Sequence, residues 1–268
     1  MLNLLRMDLY RMRRSKSVYV CLACLLAMAI LCYGMIWLMG TPQGQQIMMR
    51  TGVLVEEDLE EAQTILENVD TLVMFRQTCM DGGMYSVVFG IWIMLFVCMD
   101  YQSGFIKNIM ATHKNRWNYV GSKVMTAGLL NLVYLVFQLG FILLLNRLFG
   151  NMVPYTGVKS LLFYLSWVWL LTTAFAAMMI LVCVWTRSVA VGALVAVLMG
   201  GGLVPMALYG ILNNFHAAGW MKYTVYMSIQ QGAGSYTSPA DLYVYAVGGV
   251  FLVLYTAVAG LVLRRQDI

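Results

Sequence analysis

Long apolar runs recur along this chain, separated by short polar stretches. Val18–Met39, Met84–Met99, Val124–Leu145, Ser160–Trp185, Val189–Ile211 and Leu242–Leu263 each approach the roughly 20 residues that cross a bilayer as a helix. The pattern predicts an all-α membrane protein, a single six-span domain over residues 1–268. Met84–Met99 is short at 16 residues, and Thr78–Gly83 is expected to add a turn at its outer end, with Gly82 and Gly83 as a break. In the fifth run Gly200, Gly201, Gly202 and Pro205 predict a kinked or broken helix, since proline removes a backbone hydrogen bond and glycines admit close helix approach.

Between the runs the pattern changes. Met1–Lys16 alternates apolar and basic residues: Leu2, Leu5, Leu9 and Met12 make a stripe, with Arg6, Arg13 and Arg14 off it. An amphipathic helix in the headgroup region and a plain topogenic charge cluster are both compatible with it. Gly40–Gly83 is acidic, with Glu56, Glu57, Asp58, Glu60, Glu61, Glu67, Asp70 and Asp81 against Arg50 and Arg76. Val55, Leu59, Ala62, Leu66, Val69 and Val73 step by four and three, which predicts an amphipathic helix with a narrow seam. Its acidic face is either simply solvated or, at Glu56–Glu61, an outer surface that attracts cationic peptides. Leu212–Asp241 carries Phe215, Trp220, Tyr223 and Tyr226 but is broken by Gly232, Gly234 and Pro239, which suggests short helices dipping into one leaflet.

Asp100–Lys123 is the one long basic segment between two apolar runs. Phe105, Ile106, Ile109 and Met110 fall on one side of a helical wheel, with Lys107, Asn108, Lys114 and Asn115 elsewhere. A short amphipathic helix follows, with Asp100 or Ser103 as possible cap and Gly104 loosening the join. Such a helix can pass force from a partner to both neighbouring spans; equally, a snorkelling interfacial loop has this composition.

Composition agrees with membrane embedding. Of 268 residues 61% are hydrophobic and 11% charged, where soluble domains carry about 25% charged. Mean hydropathy is +0.76. Val18–Met39 is too long for a cleaved signal and is expected to anchor. Twelve basic residues fall on one side of the expected spans and five (Arg50, Arg76, Arg147, Lys159, Lys222) on the other. That asymmetry puts both termini in the cytoplasm.

Candidate chemistry is sparse. Five of the six cysteines lie within apolar runs, so the Cys21–Cys24 CxxC reads as small residues on a helix face. His113 and His216 lack ligand spacing, and no metal or nucleic-acid partner is expected. No P-loop, HExxH or G-x-S-x-G occurs, so the chain has no ATP cradle and no catalytic residue. Asn131, Gln138 and Asn146 share one face of the third run. Amides there either bond between helices or, for Asn131 and Gln138, line a substrate path, to which Gly200, Gly201 and Pro205 could also belong.

The segment D-Y-x-x-G-F-I-K-N-I (Asp100–Ile109), followed by N-R-x-x-Y-x-x-S-K (Asn115–Lys123), resembles the loop between spans two and three of bacterial ABC exporter permeases of the type-2 class, such as antimicrobial-peptide and lantibiotic exporters. Arg6–Lys16 and Leu263–Ile268 resemble the two ends of the same family. The resemblance implies an N-terminal elbow helix, re-entrant helices before the last span, and a coupling helix at Gly104, Phe105, Ile106, Lys107, Asn108, Ile109, Met110, Lys114 and Arg116 that docks on a separate ATPase. It further implies a permease pair, identical or homologous, in a bacterial cell membrane. The chain itself would need no cofactor, with ATP and Mg used by the partner. The competing class is a membrane anchor or sensor subunit that moves nothing.

Overall fold

A computed structural model describes residues 2–51, 69–112 and 116–266, and every regular element among them is helical. The helices are α1 (Leu2–Arg14), α2 (Lys16–Gly40), α3 (Pro42–Arg50), α4 (Thr71–Cys79), α5 (Met84–Gln102), α6 (Phe105–Thr112), α7 (Trp117–Leu148), α8 (Val158–Thr186), α9 (Val189–Val195), α10 (Leu203–Asn214), α11 (Val225–Gln231) and α12 (Tyr243–Arg265). Five described helical stretches are long and apolar enough to cross a membrane, or six if the bent α9–α10 pair is one span. Apolar side chains face both the interior and the outside of the bundle: Leu129, Val133, Val136 and Phe137 of α7 are exposed, whereas Leu130, Tyr134 and Leu135 are buried. A helix apolar all round suits a lipid surrounding, where outward leucines cost nothing.

Helix α8 is the central element. Its Trp167, Val168, Leu171, Ala174, Ala176, Ala177 and Ile180 are fully buried, and it packs on α12, α5 and α7. Polar side chains join the helices at depth. Tyr85 Oη of α5 donates to Asn131 Oδ1 of α7 at 2.6 Å, while Asn131 Nδ2 donates to Thr172 and Thr173 Oγ1 of α8 at 2.8 and 2.9 Å. Gln138 Nε2 donates to the Leu25 carbonyl of α2 at 2.9 Å, and Tyr33 Oη donates to Asn146 Oδ1 at 3.0 Å. The three amides therefore bond between helices of this chain, each worth about 1 kcal/mol in lipid.

The fifth run is broken where its glycines and proline fall. A π turn over Ala196–Gly200 follows α9, and α10 leaves at 49°. Gly202 turns the chain at φ 82°, and a Cβ there would overlap the Tyr226 hydroxyl.

Two expectations are corrected. The apolar seam Val55–Val73 lies mostly outside the described residues, but at its described end Val69 and Asp70 are not helical. Asp70 instead opens a new helix, its carboxylate accepting from the Val73 amide at 2.8 Å, because a free backbone donor at a helix start is best met by such an oxygen. In α1 the stripe Leu2, Leu5, Leu9 and Met12 is exposed or half-buried, and Leu4 and Asp8 beside it are the residues buried against the bundle. Asp100 does not cap α6: it lies in the last turn of α5, its carboxylate held by the buried Lys123 and the half-buried Arg11, and Ser103 Oγ donates back to the Met99 carbonyl at 2.6 Å.

Candidate functional site

One end of the bundle gathers α1, α6, the start of α7 and the ends of α5, α8 and α12. Gly104, at φ 68°, lets the chain turn sharply out of α5 into α6, a conformation costly to residues bearing a Cβ. Helix α6 then lies with Ile106 and Ile109 buried against the bundle, Phe105 and Met110 half-buried, and Lys107 and Asn108 exposed. The helical period thus separates an anchoring face from an outward polar face.

Behind α6 sits a cluster that sequence reasoning missed. Asp8, Asp100 and Lys123 are 1%, 0% and 0% exposed. Lys123 Nζ lies 2.8 Å from Asp8 Oδ1 and 2.7 Å from Asp100 Oδ2. Arg11 Nη1 lies 2.7 Å from Asp100 Oδ1. Ser122 Oγ donates to Asp8 at 3.0 Å and Tyr119 Oη to Asp100 at 3.1 Å. Two carboxylates thus meet two cations, and their formal charges cancel. This balance is what allows them at depth, where an unpaired charge would be expensive. Aromatic faces complete the shell: Lys123 Nζ is 4.0 Å from the Phe96 ring centre, and the Arg11 guanidinium lies 4.6 Å over Phe105. Through Phe105 the first residue of α6 touches the cluster directly.

The signal for this cluster was available in principle. Asp8 is the one acid in a basic helix, and Asp100 and Lys123 sit where apolar runs end and begin. Opposite charges at such depth must find each other. What hid them is separation: Asp8 and Lys123 are 115 residues apart.

Arg116 points to the chain's other end, with Nη1 donating to the carbonyls of Leu263, Arg264 and Gln266 at 2.8, 3.1 and 2.6 Å. Arg187 Nη2 donates to Gln266 Oε1 at 2.8 Å, and Gln266 Nε2 to the Val184 carbonyl at 2.9 Å. Both described ends of the chain are therefore fastened at this end of the bundle. Lys114 and the acidic Glu56, Glu57, Asp58, Glu60 and Glu61 lie outside the described residues. Asn131 and Gln138 sit inside the bundle, hydrogen-bonded as above. Gly200 and Gly201 form the inner side of the α9–α10 break, where Gly200 packs on the Ser86 and Val87 backbone of α5. Pro205 lines an apolar cavity of about 160 Å³ with Phe175, Met178, Met199 and Tyr226.

No family model matches the chain, and no curated protein matches it either.

Proposed function

We propose that this chain is the permease subunit of an ATP-driven exporter of the ABC type-2 class, in a bacterial cell membrane with both termini cytoplasmic. The observation that carries the reading is α6. It is a short amphipathic helix between two long apolar ones, its Lys107 and Asn108 outward and its Phe105 against a buried ion cluster. A partner ATPase pressing on the outer face would move α1, α5 and α7 together, because Asp8, Asp100 and Lys123 join those three helices. ATP and Mg would be used by that separate chain. Two permease halves, identical or homologous, would pass an amphipathic substrate between them, past α5 and the bent α9–α10 pair. The acidic Glu56–Glu61 favours a cationic antimicrobial peptide as that substrate.

Co-purification of the tagged chain from its native membrane, with ATPase activity assayed, tests this. An ATPase subunit is expected to come down with it, and Lys107→Glu with Lys114→Glu is expected to weaken that association while the protein level holds, since Lys107 is exposed. If no ATPase associates in mild detergent, the exporter reading fails and the anchor or sensor reading takes its place.

A further inference from the structure

The α1–α2 elbow holds a second basic site, beside Arg11. A cavity of about 290 Å³ opens there between Tyr10, Arg14, Ser15 and Ser17 on one wall and Phe96 and Met99 of α5 on the other. Arg11 also lines it, but its charge is already met by Asp100. Arg14 is different. Its guanidinium lies 4.6 Å over the Tyr10 ring, and among the described residues it pairs with no carboxylate. Ser15 precedes α2 without capping it, and its Oγ instead shares a 2.7 Å hydrogen bond with Ser17 Oγ. The cavity therefore presents one uncompensated cation and two hydroxyls, and the exposed Arg13 and Lys16 adjoin its lining residues in the chain. The opposite wall is apolar: Phe96 is half-buried and Met99 is 55% exposed.

We propose that this cavity seats the phosphodiester of an anionic membrane lipid. Charge selects the ligand class: a guanidinium and paired hydroxyls suit phosphate oxygens. The apolar wall selects the source. The cavity lies where the 25-residue apolar helix α2 begins, so acyl chains continue along Phe96 and Met99 while the headgroup stays at the elbow. Free phosphate would have no use for that wall. The surplus of Arg13, Arg14 and Lys16 favours a headgroup with net negative charge over a zwitterionic one. The inference rests on membrane embedding alone and is independent of the exporter reading.

The test is native mass spectrometry of the full chain in detergent, titrated with short-chain phosphatidylglycerol, phosphatidylcholine or inorganic phosphate. Phosphatidylglycerol is expected to bind at least about fivefold tighter than phosphatidylcholine, and Arg14→Gln to abolish that margin. Ser15→Ala with Ser17→Ala, in the presence of Arg14, is expected to reduce the margin without changing thermal stability. Arg6→Gln, an exposed cation of α1 outside the cavity, is expected to leave it intact. Equal weakening by Arg6→Gln and Arg14→Gln would mean diffuse surface attraction and overturn the site. Displacement of lipid by equimolar inorganic phosphate would make it a phosphate site and overturn the lipid assignment, as would equal binding of the two lipids.

Discussion

Lys123 shows what a single residue contributes here. Among the described residues its ammonium alone pairs with both Asp8 and Asp100. Lys123→Met keeps most of the volume but leaves Asp8 with the Ser122 hydroxyl and no cation among the described residues, and Asp100 with Arg11 and the Tyr119 hydroxyl. Removing one partner of a buried ion pair costs about 3–5 kcal/mol, so a sharp fall in thermal midpoint in detergent is expected. The double variant Asp8→Asn, Lys123→Met restores formal neutrality and should recover a large part of that loss. A double variant no better than the single one would mean the cluster's charge balance is not what holds it. Nothing local in the sequence announces this arrangement. A lysine after a basic loop looks like one more topogenic charge, and only its surroundings distinguish it.

At the scale of elements, periodicity was readable and orientation was only partly so. The two faces of α6 follow from the spacing of Phe105, Ile106, Ile109 and Met110, and the structure turns Ile106 and Ile109 inward. In α1 the same reasoning picked the apolar stripe but not Leu4 and Asp8, which the bundle buries beside it. A helix lying between lipid and protein has two partners that both accept apolar groups, so hydrophobicity alone does not say which face meets which. The break in the fifth span was legible because glycine and proline act locally. Its 49° angle and π turn depend on neighbours, chiefly α5 behind Gly200 and Tyr226 over Gly202. Gly202→Ala should therefore destabilise the protein, by about 1–2 kcal/mol for the left-handed backbone alone and more from overlap with Tyr226. Gly140→Ala, where a Cβ meets open space, should be neutral or stabilising. Thermal midpoints of the two variants side by side check the contrast.

For the whole molecule, the basic end is where the chain closes on itself. Arg116 holds three carbonyls at the end of α12, and Arg187 with Gln266 ties α8 to the same point. Arg116→Gln should speed hydrogen exchange in the last turn of α12, each lost charged hydrogen bond being worth about 1.5–3 kcal/mol, while amides in α6 keep their protection. If exchange instead rises in α6 and α12 is unchanged, Arg116 belongs to the α6 surface and not to this clasp. The sequence by itself determined that the chain is helical, with runs long and apolar enough to cross a membrane and a polar segment between the second and third of them. Those properties follow from composition and local periodicity, which act over a few residues. Only the tertiary structure decided which polar groups meet. Asp8 reaches Lys123 across 115 residues, Tyr33 reaches Asn146 across 113, and Arg116 reaches Gln266 across 150. In an apolar medium a polar group is stable only beside its partner, and that partner is chosen by how the helices pack.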